Sequence, residues 1–452
     1  MRLVSTTTNK ILLLGCAIFA LLFTANAQEN SPYSRYGLGD YIPSQNVLNR
    51  GMGGISTGFV DYDNRYDLKT AYPKYQSVNY LNPASYAKLR ITSFDLGFEA
   101  GSRTLRTQGT NSTKFTGKIA NISYLQLGVP LNRKQSLGMN FGLRPVTRIN
   151  YKLDKRERVS GIDSVRSLFE GTGGSYEVFT GLGKSFKNLS IGFNVGYFFG
   201  TKDYSTRKTF INDTVSYFRS NHQTKTSFGG LSLNAGIQYA AQLNKTTRLV
   251  LGARGNLRQK VNGRQDIVRE TFTFDANGSP VRIDSVFVSS DNKGTIQLPA
   301  SLGVGFTIER DDKWLFGADF STANWSQYRF FGNTDLVQNT WSVRLGGQLT
   351  PDIFSKNYWS RATYRVGFNF GPDYVTADVK NGTAQDLSQY NITAGVGLPM
   401  RKNPYTNQFT YINLSFEYGS RGNKNTPLRE NIFRVGLGLT LSDLWFIKRK
   451  YE

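Results

Sequence analysis

The chain has 452 residues, 55 Lys and Arg against 32 Asp and Glu, and a formal charge of +23. Its single cysteine and single histidine exclude a disulfide-stapled fold and a Cys/His structural zinc site. An aromatic content of 13% and 46 glycines favour strands over helices, and only one stretch approaches the run of about 20 apolar residues that a membrane-spanning helix needs.

That stretch lies at the start. Residues 1–27 read as a secretory signal peptide: Arg2 and Lys10 supply the charged region, Ile11 to Phe23 the apolar run, and Ala25-Asn26-Ala27 the cleavage site, giving a mature start at Gln28. Leu13-Leu14-Gly15-Cys16 is similar to a lipoprotein acylation box, but the apolar run continues for seven residues after Cys16, where a lipoprotein turns polar. Cleavage removes the only cysteine, two positive charges and no negative ones, so the exported chain falls from +23 to +21.

Residues 28–89 lack sustained alternation. They carry Gly and Pro punctuation, including Gly51-Met52-Gly53-Gly54 and Asn82-Pro83-Ala84. From about residue 90 to 442 apolar residues recur with period 2, the pattern of a strand with one apolar and one polar or small face. In one example Leu189, Ile191, Phe193, Val195, Tyr197 and Phe199 alternate with Ser190, Gly192, Asn194, Gly196 and Phe198. The spacing predicts 14 strands, starting near Arg90, Lys118, Ser136, Ser175, Leu189, Gly229, Arg248, Ala300, Trp314, Trp341, Thr363, Tyr390, Phe409 and Ile432. Short turns at Asn132–Lys134, Lys187-Asn188, Asn244-Lys245 and Asp311-Asp312, with longer ones near 351–360 and 401–406, alternate with long polar excursions. These excursions, near 150–172, 201–228, 258–295, 326–337, 373–387 and 420–429, are expected to be extracellular loops. Long strands with short turns at one end and long loops at the other are the outer-membrane pattern. Closure follows because lipid offers no partner to a free strand edge. The expected fold is all-β, a 14-stranded antiparallel transmembrane β-barrel. Its Gly-rich inner wall leaves room for residues 28–89 as an N-terminal hatch or plug, and residues 443–452 form a basic, aromatic periplasmic tail.

By parity Arg144, Glu177, Arg254, Glu309, Asp319, Arg344, Arg365 and Glu417 point into the lumen. Buried charges must be paired or wet, so these form either a network anchoring the plug or a polar path for solute. Pro145 falls inside the third strand, where proline removes a ladder hydrogen bond and is normally confined to an edge or bulge.

Catalysis finds no support. His222 sits in a polar stretch expected to be an outer loop, without the surroundings of a general base. Gly181-Leu182-Gly183-Lys184-Ser185 lacks the leading glycine of a phosphate loop, Val178 standing there, and the strand–loop–helix context. Asp61, Asp63 and Asp67 have a spacing that hard cations favour, but Tyr66 stands where a calcium loop needs glycine and no glutamate closes it, so salt bridges to inward arginines are expected instead. No catalytic residue, metal or cofactor is assigned. Export opposes a nucleic-acid partner. Basic loop residues Lys152, Lys155, Arg156 and Arg158, then Arg258, Lys260, Arg264 and Arg269, suit contact with lipopolysaccharide phosphates or are simply solvated.

The Gly51–Gly54 cluster followed by Asn82-Pro83-Ala84, and the opening Ser31-Pro32-Tyr33 to Asp40, resemble the FadL-like outer-membrane transporters of hydrophobic compounds, in their Bacteroidota-type branch; the Trp445–Tyr451 tail is similar too. The resemblance implies a barrel with an inner hatch, localisation in the cell outer membrane, and a third-strand kink, here at Pro145, that opens sideways. It implies passive uptake of hydrophobic small molecules, fatty-acid-like or aromatic. The alternative is a non-transporting barrel that is a subunit or partner of an outer-membrane secretion or assembly complex. An apolar pocket of roughly 300–1,000 Å³ would mark the first, a sealed lumen with an exposed apolar patch the second.

Overall fold

Period-2 alternation becomes a wall with two faces. A computed structural model describes residues 30–61, 76–108, 112–159, 163–211, 218–310, 313–378, 384–400, 408–423 and 425–443. Fourteen strands run antiparallel in sequence order: β1 (Thr92–Thr107), β2 (Lys114–Asn132), β3 (Leu137–Val159), β4 (Asp163–Phe186), β5 (Leu189–Phe210), β6 (Arg219–Gln242), β7 (Thr247–Asn256 and Gln259–Phe274), β8 (Pro280–Leu298 and Ser301–Arg310), β9 (Trp314–Ala323), β10 (Thr340–Leu349), β11 (Thr363–Asp378), β12 (Ala384–Pro399), β13 (Phe409–Arg421) and β14 (Leu428–Asp443). β14 pairs with β1 from Leu428↔Thr107 to Asp443↔Thr92, which closes the barrel. On β5 the apolar set Ile191, Phe193, Val195, Tyr197 and Phe199 is exposed on the outside, while Ser190, Gly192, Asn194, Gly196 and Phe198 are buried. An apolar exterior and a polar interior are what a bilayer demands.

Four of the expected loops are largely strand instead, the stretch 373–387 among them, which is paired from Thr376↔Asp386 to Asp378↔Ala384. β3 and β4 stay paired up to Val159↔Asp163, β5 and β6 up to Lys208↔Ser220, and β7 and β8 up to Pro280↔Phe274. The starts expected at Ser175, Gly229 and Ala300 therefore correct to Asp163, Arg219 and Pro280. His222 likewise sits not in a loop but in β6, exposed, opposite Thr206 and Arg269. The reason is physical: above the bilayer both faces of a sheet are wet, so alternation stops while the hydrogen-bonded ladder continues. The stretch 326–337 folds back toward the barrel. Its Arg329–Phe330 pairs with Ile296 and Gln297, and Val337 bridges to Val375.

Residues 30–61 and 76–91 lie against the inner wall. Trp325, Tyr328, Tyr374, Phe198 and Phe228 form an apolar cluster with Tyr33 and Leu38 of this segment. Below it a single helical turn, Val47–Arg50, is capped by Asn46, whose side chain accepts from the Asn49 N–H at 2.9 Å. Asn82 caps the 3-10 helix Pro83–Lys88 in the same manner, with proline at its start. Inner-wall glycines let backbone meet backbone. A side chain at Gly183 would place its Cβ 2.5 Å from the Pro83 carbonyl, and one at Gly192 or Gly367 would overlap the backbone of Pro83 or Gly53. Gly53 itself has φ +69°, and a Cβ there would lie 2.5 Å from the Leu345 carbonyl oxygen.

Candidate functional site: the lumen and the β2–β3 seam

Two charge clusters tie the N-terminal segment to the wall. In the first, Arg50 bonds Glu99 at 2.6 Å and also Glu417, while Arg434 approaches Glu99 at 3.7 Å and Glu417 at 3.6 Å. In the second, Asp40 accepts from Arg103 at 2.6 Å and from Arg421 at 2.7 Å. Arg103 and Arg421 also reach Glu430, and Arg421 reaches Asp373. The side chains of both clusters are almost fully buried, which is tolerable only because each charge has several partners.

The expected inward residues all line or approach this interior. Arg144 pairs with Glu177 at 2.7 Å across β3 and β4, and Ser232 donates to Glu177. Glu309 pairs with Arg248 at 2.8 Å near the opposite end. Asp319 accepts the backbone N–H groups of Ser56 at 2.7 Å and Thr57 at 2.8 Å. Arg365 donates to Gln348 and Asn413, and Arg344 donates to Ser321. Arg254 reaches the Thr57 hydroxyl at 3.3 Å.

The glycine cluster and the Asn-Pro-Ala motif are also placed against the wall. Gly53 N–H donates to the Thr393 hydroxyl at 2.8 Å, which donates to the Gly51 carbonyl at 3.2 Å; Gly54 lies beside Arg344. Asn82 donates to the Thr57 carbonyl at 2.7 Å. Pro83 fills the space left by Gly183 and Gly192, and Ala84 is fully buried behind it. Asp61 accepts from the Ser77 N–H at 2.9 Å, whereas Asp63 and Asp67, the signal peptide and the tail from residue 444 lie outside the described residues. Gly181 to Ser185 lie within β4.

Sequence reading missed Arg50, Asp40, Glu99, Arg103, Asp373, Arg421, Glu430 and Arg434. Parity could have found Glu99 and Arg103, which share the inner face of β1 with Asp95 and Gly97 and alternate with Phe94, Leu96 and Phe98. Nothing periodic marks Arg50 or Asp40.

The β2–β3 seam is irregular. The two strands pair from Asn132↔Leu137 to Leu125↔Leu143 and no further. On the other side β3 remains paired with β4, with a register shift between Pro145 and Thr147. The edge of β3 above Pro145 is taken up by the N-terminal segment. Ile42 N–H donates to the Val146 carbonyl at 3.0 Å, Asp40 and Tyr41 pair with Arg148 and Thr147, and Ser31 N–H donates to Asn150 at 2.9 Å. The Arg148 side chain donates to Asn121 across the gap. Inside the barrel lies a cavity of about 520 Å³, lined by seven arginines and four carboxylates among other groups. No group of three or more potential metal-ligating side chains occurs among the described residues.

The architecture is similar to that of solved FadL-like outer-membrane barrels. The Pseudomonas putida toluene transporter TodX has 14% identity and a TM-score of 0.55, covering 91% of this chain and 100% of that one. A Pseudomonas aeruginosa FadL homologue has 14% identity and a TM-score of 0.53, over 89% and 98%. The Ralstonia pickettii toluene transporter TbuX has 14% identity and a TM-score of 0.52, over 88% and 98%. No curated protein matches the chain. At such identities the likeness is one of fold, that of an outer-membrane β-barrel. The model of the BamG family matches residues 8–452, and the chain belongs to that family.

Proposed function

We propose that this barrel is a non-transporting, FadL-like subunit or partner of an outer-membrane secretion or assembly complex. The observation that carries this reading is the locked lumen: Arg50 and Asp40 of the N-terminal segment are held by buried carboxylates and arginines of the wall. An apolar solute would have to break those pairs and cross a cavity ringed by charge, at a desolvation cost it could not repay. In this reading residues 28–89 act as a permanent plug. Gly51, Gly53, Gly54, Asn82, Pro83 and Ala84 fit it to the wall, and the inward charges Arg144, Glu177, Arg254, Glu309, Asp319, Arg344, Arg365 and Glu417 brace it. The sheet beyond the alternating part of β8 exposes the apolar side chains of Val281, Ile283, Val286 and Phe287, and the BamG family match supports a protein partner. The chain is exported by cleavage after Ala27, and Lys152, Lys155, Arg156 and Arg158 face lipopolysaccharide.

The second reading is passive uptake of hydrophobic small molecules. The unzipped β2–β3 seam at Pro145 and a cavity within the usual size of ligand sites favour it. Gentle detergent extraction followed by mass spectrometry separates the two. Stoichiometric partner proteins are expected; lipid-like molecules without a protein partner would overturn the first reading and support the second.

A further inference from the structure

The cavity contains two arginines that make no ion pair among the described residues. Arg144, Arg50, Arg103, Arg421 and Arg434 each have a carboxylate partner. Arg254 and Arg344 have none within ion-pair distance among the described residues. Each makes one side-chain hydrogen bond, Arg254 to the Thr57 hydroxyl and Arg344 to the Ser321 hydroxyl at 3.0 Å. The carboxylate opposite Arg344 in the β9–β10 register is Asp319, whose Oδ2 accepts the Ser56 and Thr57 N–H groups, so one negative charge stands near two positive ones. A guanidinium carries five N–H donors in a planar fork and no acceptor, so most donors of both residues are left for the cavity.

The strand registers place the two groups on one stretch of the inner wall, three strands apart, and both line the same cavity. Arg254, Gly303, Ser321 and Ser342 occupy one rung across β7, β8, β9 and β10. Asp319 and Arg344 sit two residues along their strands from Ser321 and Ser342, on the same inner face. Gly303 lies between Arg254 and Ser321 and contributes no side chain, so the Arg254 side chain lies over it toward the Thr57 hydroxyl, and Arg254, Gly303, Ser321, Ser342 and Arg344 all line the cavity. The Ser321 and Ser342 hydroxyls share a hydrogen bond at 2.8 Å, and Gln45 reaches Gly54 beside Arg344. Two like charges facing one cavity repel one another. Forked guanidinium donors flanked by hydroxyls match an oxyanion in both charge and geometry.

We propose that Arg254 and Arg344, with Ser321 and Ser342, form a binding site for a single oxyanion, a phosphate or a carboxylate group, against the N-terminal segment at Thr57. The site is independent of whether the barrel conducts. The group comes either from a free small anion or from the head of an acidic amphiphile, and the cavity admits either one.

The test uses the full mature protein in neutral detergent. Thermal unfolding is followed while inorganic phosphate, and separately octanoate, replaces chloride at constant ionic strength. A saturable rise in melting temperature is expected, since a ligand that binds only the folded state stabilises it by mass action. Saturation by phosphate assigns a free anion; saturation by octanoate alone assigns an amphiphile head. The double variant R254Q/R344Q is expected to bind about tenfold more weakly or worse, in keeping with the loss of charge-assisted hydrogen bonds. R254K keeps the charge without the fork and is expected to fall between the two. A response that does not saturate in the wild type, or one equal in wild type and R254Q/R344Q, overturns the proposal. Should R254Q/R344Q fail to insert, the wild-type titration and R254K decide it alone.

Discussion

Two seams of the same barrel were made differently. β14 and β1, from opposite ends of the barrel sequence, are zipped along their whole length, with Ser93 and Ser442 hydrogen-bonded directly across at 3.0 Å. β2 and β3, neighbours in sequence and joined by a tight turn, part company after Leu125↔Leu143. Sequence proximity therefore does not decide which seam is complete. What decides it is the third party. The edge of β3 above Pro145 is claimed by residues 31–42, which pair with it as a short extra strand and then run on into the Arg50 cluster. An unpaired edge is costly in lipid, so the N-terminal segment and the open seam are one structural solution.

The comparison breaks hardest at Arg50. Arg50→Ala leaves Glu99 and Glu417 without their main partner, and removal of one member of a buried pair typically costs about 3–5 kcal/mol. We expect a matching loss of stability to denaturant, read by the folded barrel's gel mobility. The seams should also respond unequally. From residue 28 onward the chain has no cysteine, so in that portion a bifunctional maleimide should link Ser93→Cys to Ser442→Cys with or without Arg50, but Asn121→Cys to Arg148→Cys only with it. Equal behaviour of both links would separate the seam from the N-terminal segment.

The next effect is steric. Gly192→Val would drive a side chain into the Pro83 backbone, and overpacking of this type costs about 1–3 kcal/mol. Displacement of the segment should appear as new protease cleavage between residues 76 and 91.

A smaller effect is expected at Pro145. Pro145→Ala restores one N–H, yet β3 above it is already paired with Asp40 and Tyr41, so stability should move by no more than about 1 kcal/mol. Hydrogen exchange at residues 146–150 should keep its protection. Rapid exchange there, or a zipped β2–β3 seam, would mean that proline itself sets the opening.

The smallest effect belongs to the overhang. Arg166 donates to Asp154 and holds its carboxyl below the usual carboxylate range, but both groups are exposed to solvent and screened. Arg166→Ala should leave the melting temperature unchanged, and acidification through the Asp154 titration should remove no measurable stability. A clear loss would show that the overhang bears load.

The period-2 pattern, with the long strands and the alternation of short turns and long excursions, determined the barrel, its 14 strands and the lipid-facing side of each, because these are properties that the chain expresses locally. It also determined which charges turn inward, since Arg144, Glu177 and Asp319 obey the same parity as their strands. It could not set strand length where the wall leaves the bilayer, because the residues around 265–290 no longer alternate although their backbone remains paired. Nor could it name the partners of those charges. Arg50 meets Glu417 across 367 positions of chain, and Asp40 meets Arg421 across 381, in a segment with no periodicity to read. Only closure of the barrel around that segment brings these residues together, because buried charge is stable where the fold supplies a counter-charge and nowhere else.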